Sequence, residues 1–211
     1  MKLETNAGHA PAGEAHRSRR QFWVLVAIFF VPLAIAFYLY YGLDGWRPAG
    51  STAHGDLIDP ARPLPAVALE TPSGEPLPAD FLRGKWTLVY VGEGRCDARC
   101  REALTDMRQV RLALADDMTR VERVSLYAGD FGDPGYFAAE HAGLTAAALD
   151  GAGGADLLAE FAVDGDVPVP AAGRVYIVDP LGNLMMSYGP EAPAKGMLED
   201  LEKLLKLSHI G

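Results

Sequence analysis

Cys96 and Cys100 are the only two cysteines in 211 residues, and they stand in the run Arg95-Cys-Asp-Ala-Arg-Cys-Arg101. A spacing of four puts both sulfurs on one helix face about a turn apart, within reach of a disulfide or of joint ligation of one metal ion. If a helix begins here, its N-terminal amides favour a thiolate. Arg95, Arg99 and Arg101 add positive charge, opposed in part by Glu93, Asp97 and Glu102. Such a pair can exchange disulfides, with Cys96 as the more exposed attacking thiol and Cys100 as the resolving one. It can also hold Cu(I), which prefers soft ligands, or serve as a structural staple in an oxidising compartment. Closing so short a loop removes only about 2 kcal/mol of unfolded-state entropy, so stability is a poor reason to place the pair there.

The elements that must position the cysteines are legible on either side. Trp86 to Val91 (WTLVYV) is a continuous apolar, β-branched run, as expected of a strand covered on both faces in a central sheet. It stops at Gly92 and Gly94. Cys96 to Met118 then has helical composition, with Leu104, Met107, Val110, Arg111 and Leu114 near 3.6-residue spacing. Val121 to Tyr127 is expected to form a second central strand. Helices are expected from about Asp133 to Ala142 and from about Ala155 to Phe161, around an Ala- and Gly-rich loop. Arg174 to Val178 and Leu184 to Tyr188 flank Asp179-Pro-Leu-Gly-Asn183, a turn between two strands. Pro193 to Leu207 closes the domain as an amphipathic helix with proline in its first turn. Upstream, Leu64 to Leu69 and Glu75 to Leu77 are expected as a short hairpin around Thr71-Pro-Ser-Gly74. Strand, Cys-bearing helix, strand, helix, hairpin and terminal helix is the thioredoxin-like order: an α/β fold with a central mixed sheet flanked by helices.

Phe22 to Tyr41 runs for twenty residues without a charged side chain, long enough to cross a hydrocarbon layer of about 30 Å as a helix. A cleaved secretory signal would have a shorter apolar stretch of about 7–15 residues. Tyr38, Tyr40, Tyr41 and Trp46 suit a retained helix anchored at the interface. Arg17, Arg19 and Arg20 precede the span and only Arg47 follows closely, so the positive-inside rule puts the N-terminus in the cytoplasm. The expected layout is a cytoplasmic tail (1–21), a transmembrane helix (22–41), a Pro-, Gly- and Asp-rich tether (42–63) and a periplasmic domain (64–211) on a bacterial inner membrane. Lys2, Arg17, Arg19 and Arg20 against Glu4 and Glu14 leave +2 on residues 1–41, so the rest of a chain of net charge −9 carries −11. An acidic exported domain without a basic stripe argues against nucleic acid and against lying flat on anionic lipid. Cationic partners or metal ions suit it better.

Leu82-Arg-Gly-Lys-Trp-Thr-Leu-Val-Tyr-Val-Gly92, Cys96-x-x-x-Cys100, Arg174-Val-Tyr-Ile-Val-Asp-Pro-Leu-Gly-Asn183 and Ser187-Tyr188 together resemble the SCO/SenC family of cytochrome c oxidase assembly proteins over roughly residues 62–207. The resemblance implies a membrane-anchored thioredoxin-like protein that works with oxidase subunits or other assembly factors and binds copper through the cysteines. Two departures stand out. Asp97 and Arg101 replace the prolines that usually follow the family's cysteines. The family's third copper ligand, a histidine, is missing from Asp166 to Arg174, where Ala171 lies near its expected place. Among the other histidines, His9 and His16 fall before the span, His54 in the tether and His209 at the C-terminus. His141 is the one intradomain candidate and is expected to be a surface residue. Of Met185 and Met186, on alternate faces of a strand, at least one is expected in the core. Pro168 and Pro170 lie in the loop that holds a cis-proline in thioredoxin-like oxidoreductases. The expected activity is thiol–disulfide exchange at Cys96 and Cys100. Cu(I) carriage by the same pair and docking without catalysis are the alternatives.

Overall fold

A computed structural model describes residues 13–42, 52–163, 165, 167–208 and 210. The expected tail up to residue 12, the tether from 43 to 51, and His9 and His209 lie outside them. The chain divides into two units, residues 1–50 and 51–211.

In the first unit, α1 runs from Gly13 to Gly42. Its window Arg20–Leu39 has a mean hydropathy of 2.5 and none of it is buried within the chain, so it is long and apolar enough to cross a membrane. Pro32 lies inside it, a residue that transmembrane helices tolerate.

The second unit is built on a six-stranded sheet. Its strands are β1 (Asp56–Pro63), β2 (Trp86–Glu93), β3 (Val121–Ala128), β4 (Leu144–Ala148), β5 (Val175–Val178) and β6 (Asn183–Tyr188), in the spatial order β1-β6-β5-β2-β3-β4. β2, β3 and β4 run parallel to one another, while β5 lies antiparallel to β2, β6 to β5 and β1 to β6. β2 is buried along its first seven residues, because both faces of the sheet are covered. On one face Leu88, Leu104, Met107, Ile177 and Leu201 pack under α2 (Ala98–Ala113) and α6 (Ala194–Leu207). On the other, Val89, Val91, Leu126, Leu157 and Phe161 pack under α4 (Gly151–Glu160). α3 (Pro134–Glu140) and α5 (Val169–Ala172) are short connectors. The β5–β6 turn forms as expected because Asp179 Oδ1 accepts from the amides of Leu181 (2.9 Å) and Asn183 (2.8 Å).

Four elements differ from the sequence reading. Asp56–Pro63 falls within the expected tether, yet it is β1. Its prolines are tolerated because it is an edge strand, and its register slips between Leu57 and Arg62. Leu144–Ala148 (LTAAA) falls in the expected loop, yet pairs with β3 from Arg123↔Leu144 to Tyr127↔Ala148; tertiary pairing overrides alanine's low strand preference. The expected hairpin near residue 70 is reduced to a Glu70↔Pro76 bridge. The long helix after the cysteines ends at Ala113, where Ala115 takes a positive φ of 51° and a 3₁₀ turn (Ala115–Arg120) follows.

The N-terminal edge of this unit is tied down by a buried acid. Asp200, 3% exposed on α6, accepts from the amides of His54 (2.6 Å) and Gly55 (3.0 Å) and from the Tyr188 hydroxyl (3.1 Å). Lys203 Nζ lies 3.5 Å from its other oxygen. Burial, and then the Asp200 carboxylate, push the Tyr188 hydroxyl far above its ordinary range, so it stays a donor.

Candidate functional site

Cys96 and Cys100 flank the start of α2 at the C-terminal end of β2, and they are joined as a disulfide with Cα atoms 5.1 Å apart. Cys100 is buried, at 4% exposure, and Cys96 is half-buried and packs against the same core. The asymmetry follows from position: Cys96 precedes the helix and Cys100 lies in its first turn. Between them Asp97 is the N-cap, its Oδ1 accepting from the Cys100 amide at 2.9 Å. The helix terminus expected to favour a thiolate therefore already serves a carboxylate.

Arg101 braces the other side of the loop. Its Nε donates to the Cys96 carbonyl at 3.4 Å, and its guanidinium sits 4.6 Å from the centre of the Tyr136 ring on α3, a cation–π contact. The segment before Cys96 is held just as closely. Gly94 donates to the Ala128 carbonyl (2.8 Å) and accepts from Gly132 (3.0 Å). A Cβ on Gly94 would fall 2.1 Å from the Asp130 carbonyl oxygen, so any side chain would push these two loops apart.

An open cleft of about 220 Å³ reaches Cys100 and is lined by Tyr90, Glu93, Arg95, Asp97, Arg99, Pro170, Ala171 and Gly173. Gly173 has φ +60°, and a Cβ there would come 3.1 Å from Arg99 Cδ. The absent side chain leaves Arg99 room to run along the cleft wall. A second groove shares Glu93, Arg95, Pro170 and Ala171 and continues to Pro168 and to Ala128–Asp130. Together they cross the C-terminal ends of β2 and β3, where α/β sheets commonly receive ligands.

Arg95 and Arg99 line this cleft together with Glu93 and Asp97, so both signs of charge border it. The Tyr90 hydroxyl lies among these charges. It is pushed up to about 12 by burial first and then by Asp97, with Arg99 opposing and Glu93 adding. Tyr90 reads in the sequence as one more core residue of the β2 run, and nothing in that pattern separates it from its neighbours.

Ala171 lines the same cleft as Cys100, so the loop expected from the sequence to lie near the site borders it at the second cysteine. The peptide bonds at Pro168 and Pro170 are trans, and the cis bond among the described residues is Asp59–Pro60. His141 corrects the surface expectation. It is 2% exposed, its Nε2 lies 2.9 Å from the Tyr136 hydroxyl, and it does not line the cleft. Burial first, then Arg108 and Arg123, lower its proton affinity. Met186 is buried and Met185 packs against the same core cluster. His54 pairs with Glu199 at 2.8 Å. Among the described residues, no group of three or more His, Cys, Asp or Glu side chains is arranged to hold a metal ion.

Residues 86–208 match the family model described as transmembrane-like, thioredoxin-like, C-terminal domain. No curated protein matches the chain. Solved structures similar to it include apo Sco1 from Thermus thermophilus, at TM-score 0.56 and 21% identity over 74% of this chain and 99% of that one. Copper-bound yeast Sco1 follows at 0.52 and 16%, over 75% and 96%. BsSco, described with a disulfide switch and as a member of the Sco family of cytochrome c oxidase assembly proteins, follows at 0.53 and 14%, over 72% and 99%. At these identities the likeness establishes a shared thioredoxin-like fold.

Proposed function

The chain belongs to the transmembrane-like, thioredoxin-like C-terminal domain family, and from that premise we propose that it is a membrane-anchored, SCO-like assembly factor for cytochrome c oxidase that works by thiol–disulfide exchange at Cys96 and Cys100. The observation that carries this reading is the asymmetry of the pair: a half-buried Cys96 and a buried Cys100 in one disulfide beside an open cleft that reaches Cys100. The Sco resemblance of sequence and fold supports the client class. The span Arg20–Leu39 and the arginines before it support anchoring in a bacterial inner membrane with the domain in the periplasm.

In the reducing direction, the Cys96 thiolate attacks one sulfur of a client disulfide. That bond breaks, and its electron pair leaves on the client's other sulfur, which takes up a proton. Cys100, as thiolate, then attacks Cys96 Sγ in the mixed disulfide and expels the client's second thiolate. The client gains two electrons and the Cys96–Cys100 disulfide forms; a thiol reductant of the same compartment must restore the dithiol. The groove past Pro170 and Ala171 offers the client segment a seat, and Arg101 fixes the backbone of the attacking residue through its carbonyl.

A second reading uses the same atoms. Copper is bound in the yeast Sco1 structure, and two thiolates form a soft donor set that suits Cu(I). Ala171 and Pro170 supply no imidazole to the cleft, so this donor set does not suit Cu(II). Copper titration of the reduced and oxidised protein separates the readings. A stoichiometric Cu(I) complex that requires both thiols would favour carriage over exchange, whereas disulfide exchange with client thiols and no copper complex would favour the first.

A further inference from the structure

We propose that the outer edge of β4 is a docking site for an extended segment of a partner protein, one with apolar side chains at alternate positions and a basic residue at one end. β4 closes one margin of the sheet and β1 closes the other. The two margins are guarded differently. β1 carries Asp56, Asp59, Arg62 and two prolines, the devices that blunt an edge against pairing. β4 reads LTAAA, with no charge and no proline, and its register with β3 is regular from end to end.

The alternation of the strand tells which backbone groups face outward. The Leu149 amide bonds inward to the Tyr127 carbonyl of β3 at 2.8 Å, whereas the Ala148 amide bonds outward to the Glu70 carbonyl at 2.9 Å. With a period of two, the amides of Ala146 and Leu144 point outward as well. That of Leu144 is taken by the His141 carbonyl at 2.9 Å. Ala146 is left with its N–H and C=O directed away from the sheet, and among the described residues no loop or turn backbone pairs with its amide. Glu70 covers one end of the edge, and the chain then turns away through Thr71 to Gly74.

Ala146 lines an open groove of about 680 Å³, with Phe131, Pro134 and Phe137 on the side of α3 and Pro72 and Leu77 on the side of the turn. The rings of Phe131 and Phe137 stack with centroids 4.5 Å apart, so they present one apolar wall. An N–H and C=O pair at a sheet edge calls for another backbone, and walls of this kind call for apolar side chains at every second residue. Among the described residues lining the groove, Glu75 is the one carboxylate and there is no lysine or arginine. A basic residue is therefore attracted and an acidic one repelled. A second copy fits less well, because β4 has no basic residue to meet Glu75.

The test uses the full chain in non-ionic detergent and a short fluorescent peptide of alternating valine and threonine that ends in lysine. Saturable binding by fluorescence anisotropy is expected, with the Ala146 amide gaining protection from hydrogen exchange. Ala146→Pro removes that one donor and spares the β3 ladder; it should weaken binding about fivefold or more, the worth of one backbone hydrogen bond. A peptide ending in glutamate should bind less tightly than the lysine form, and Glu75→Lys should reverse that preference. The lysine peptide N-methylated at every residue has no amide donor and should not bind, a comparison that decides even if Ala146→Pro fails to fold. Absence of saturable binding, equal affinity for the methylated peptide, or equal affinity for the lysine and glutamate forms would overturn the proposal. A dimer that forms through this edge and excludes the peptide would assign the edge to a second copy and overturn it too. None of these results touches the thiol chemistry, which this edge does not use.

Discussion

The carboxylate of Asp97 accepts a hydrogen bond from the amide of Cys100 at 2.9 Å, so the residue between the two sulfurs caps the helix that carries the second. The cap and the charge of Asp97 act in opposite senses. The cap holds α2 in place, while the charge disfavours a thiolate beside it. Asp97→Ala should lower stability by about 1 kcal/mol in urea unfolding. Asp97→Asn retains an acceptor but removes the charge, so Cys96 in the reduced protein should react faster with iodoacetamide at neutral pH. An unchanged or slower rate would show that the carboxylate does not act on the thiol.

Alkylation should also discriminate between the cysteines. In the reduced protein Cys96 should be modified well before Cys100, because Cys100 is buried. Cys100→Ser should trap mixed disulfides with a client through Cys96. Cys96→Ser and Cys100→Ser should both fold and insert, since the staple accounts for only about 2 kcal/mol, yet neither should support oxidase maturation. Wild-type maturation in both variants would move the working surface away from the thiols and favour a docking role.

Ala171→His should raise Cu(II) affinity in a spectroscopic titration of the reduced protein. Ala171 lines the cleft that reaches Cys100, and an imidazole there supplies the borderline donor that two thiolates lack. No gain would mean that the side chain at 171 does not turn toward the sulfurs.

The central strand, the Cys-bearing helix and the β5–β6 hairpin were legible because each is specified locally. WTLVYV is apolar on both faces, the cysteines open a 3.6-residue pattern, and Asp179 builds its own turn. β1 and β4 were hidden because their residues, prolines in one and alanines in the other, pair only when a distant strand supplies the register. The site shows the same division. The cysteines and the bordering loop at Ala171 were visible, but Asp97 as a cap, Tyr90 as a cleft wall and the Arg101–Tyr136 contact depend on geometry that spacing does not encode. His141 departs from the surface expectation because the rings of Tyr136 and Phe137 pack against it, a contact that spacing does not encode.

The burial of His141 gives a pH dependence whose sign is fixed. Its folded proton affinity lies below the unfolded value of 6.5, so the unfolded chain binds the extra proton first as pH falls. The stabilisation is complete above about pH 6.5 and is lost on acidification below it. Urea midpoints between pH 7.5 and 5 should fall, and His141→Gln should flatten that slope. An equal slope in the variant would assign the acid sensitivity to the carboxylates instead.

Topology is open to a direct test. A reporter that is active only after export, fused behind Gly211, should be active, because Arg17, Arg19 and Arg20 precede the span. Activity of a cytoplasmic reporter at the same place would reverse the orientation and remove the oxidising compartment on which the disulfide chemistry depends.

The pairing of β1 with β6 decides where this protein can be cut. Protease that severs the chain before Thr52 should release a fragment that keeps its Asp200 latch and its outermost strand. A fragment begun at Leu64, where the sequence alone would place the domain, would lose both. The backbone groups of β6 would then stand open along a bare margin of the sheet, which invites strand addition from a neighbouring copy and precipitation.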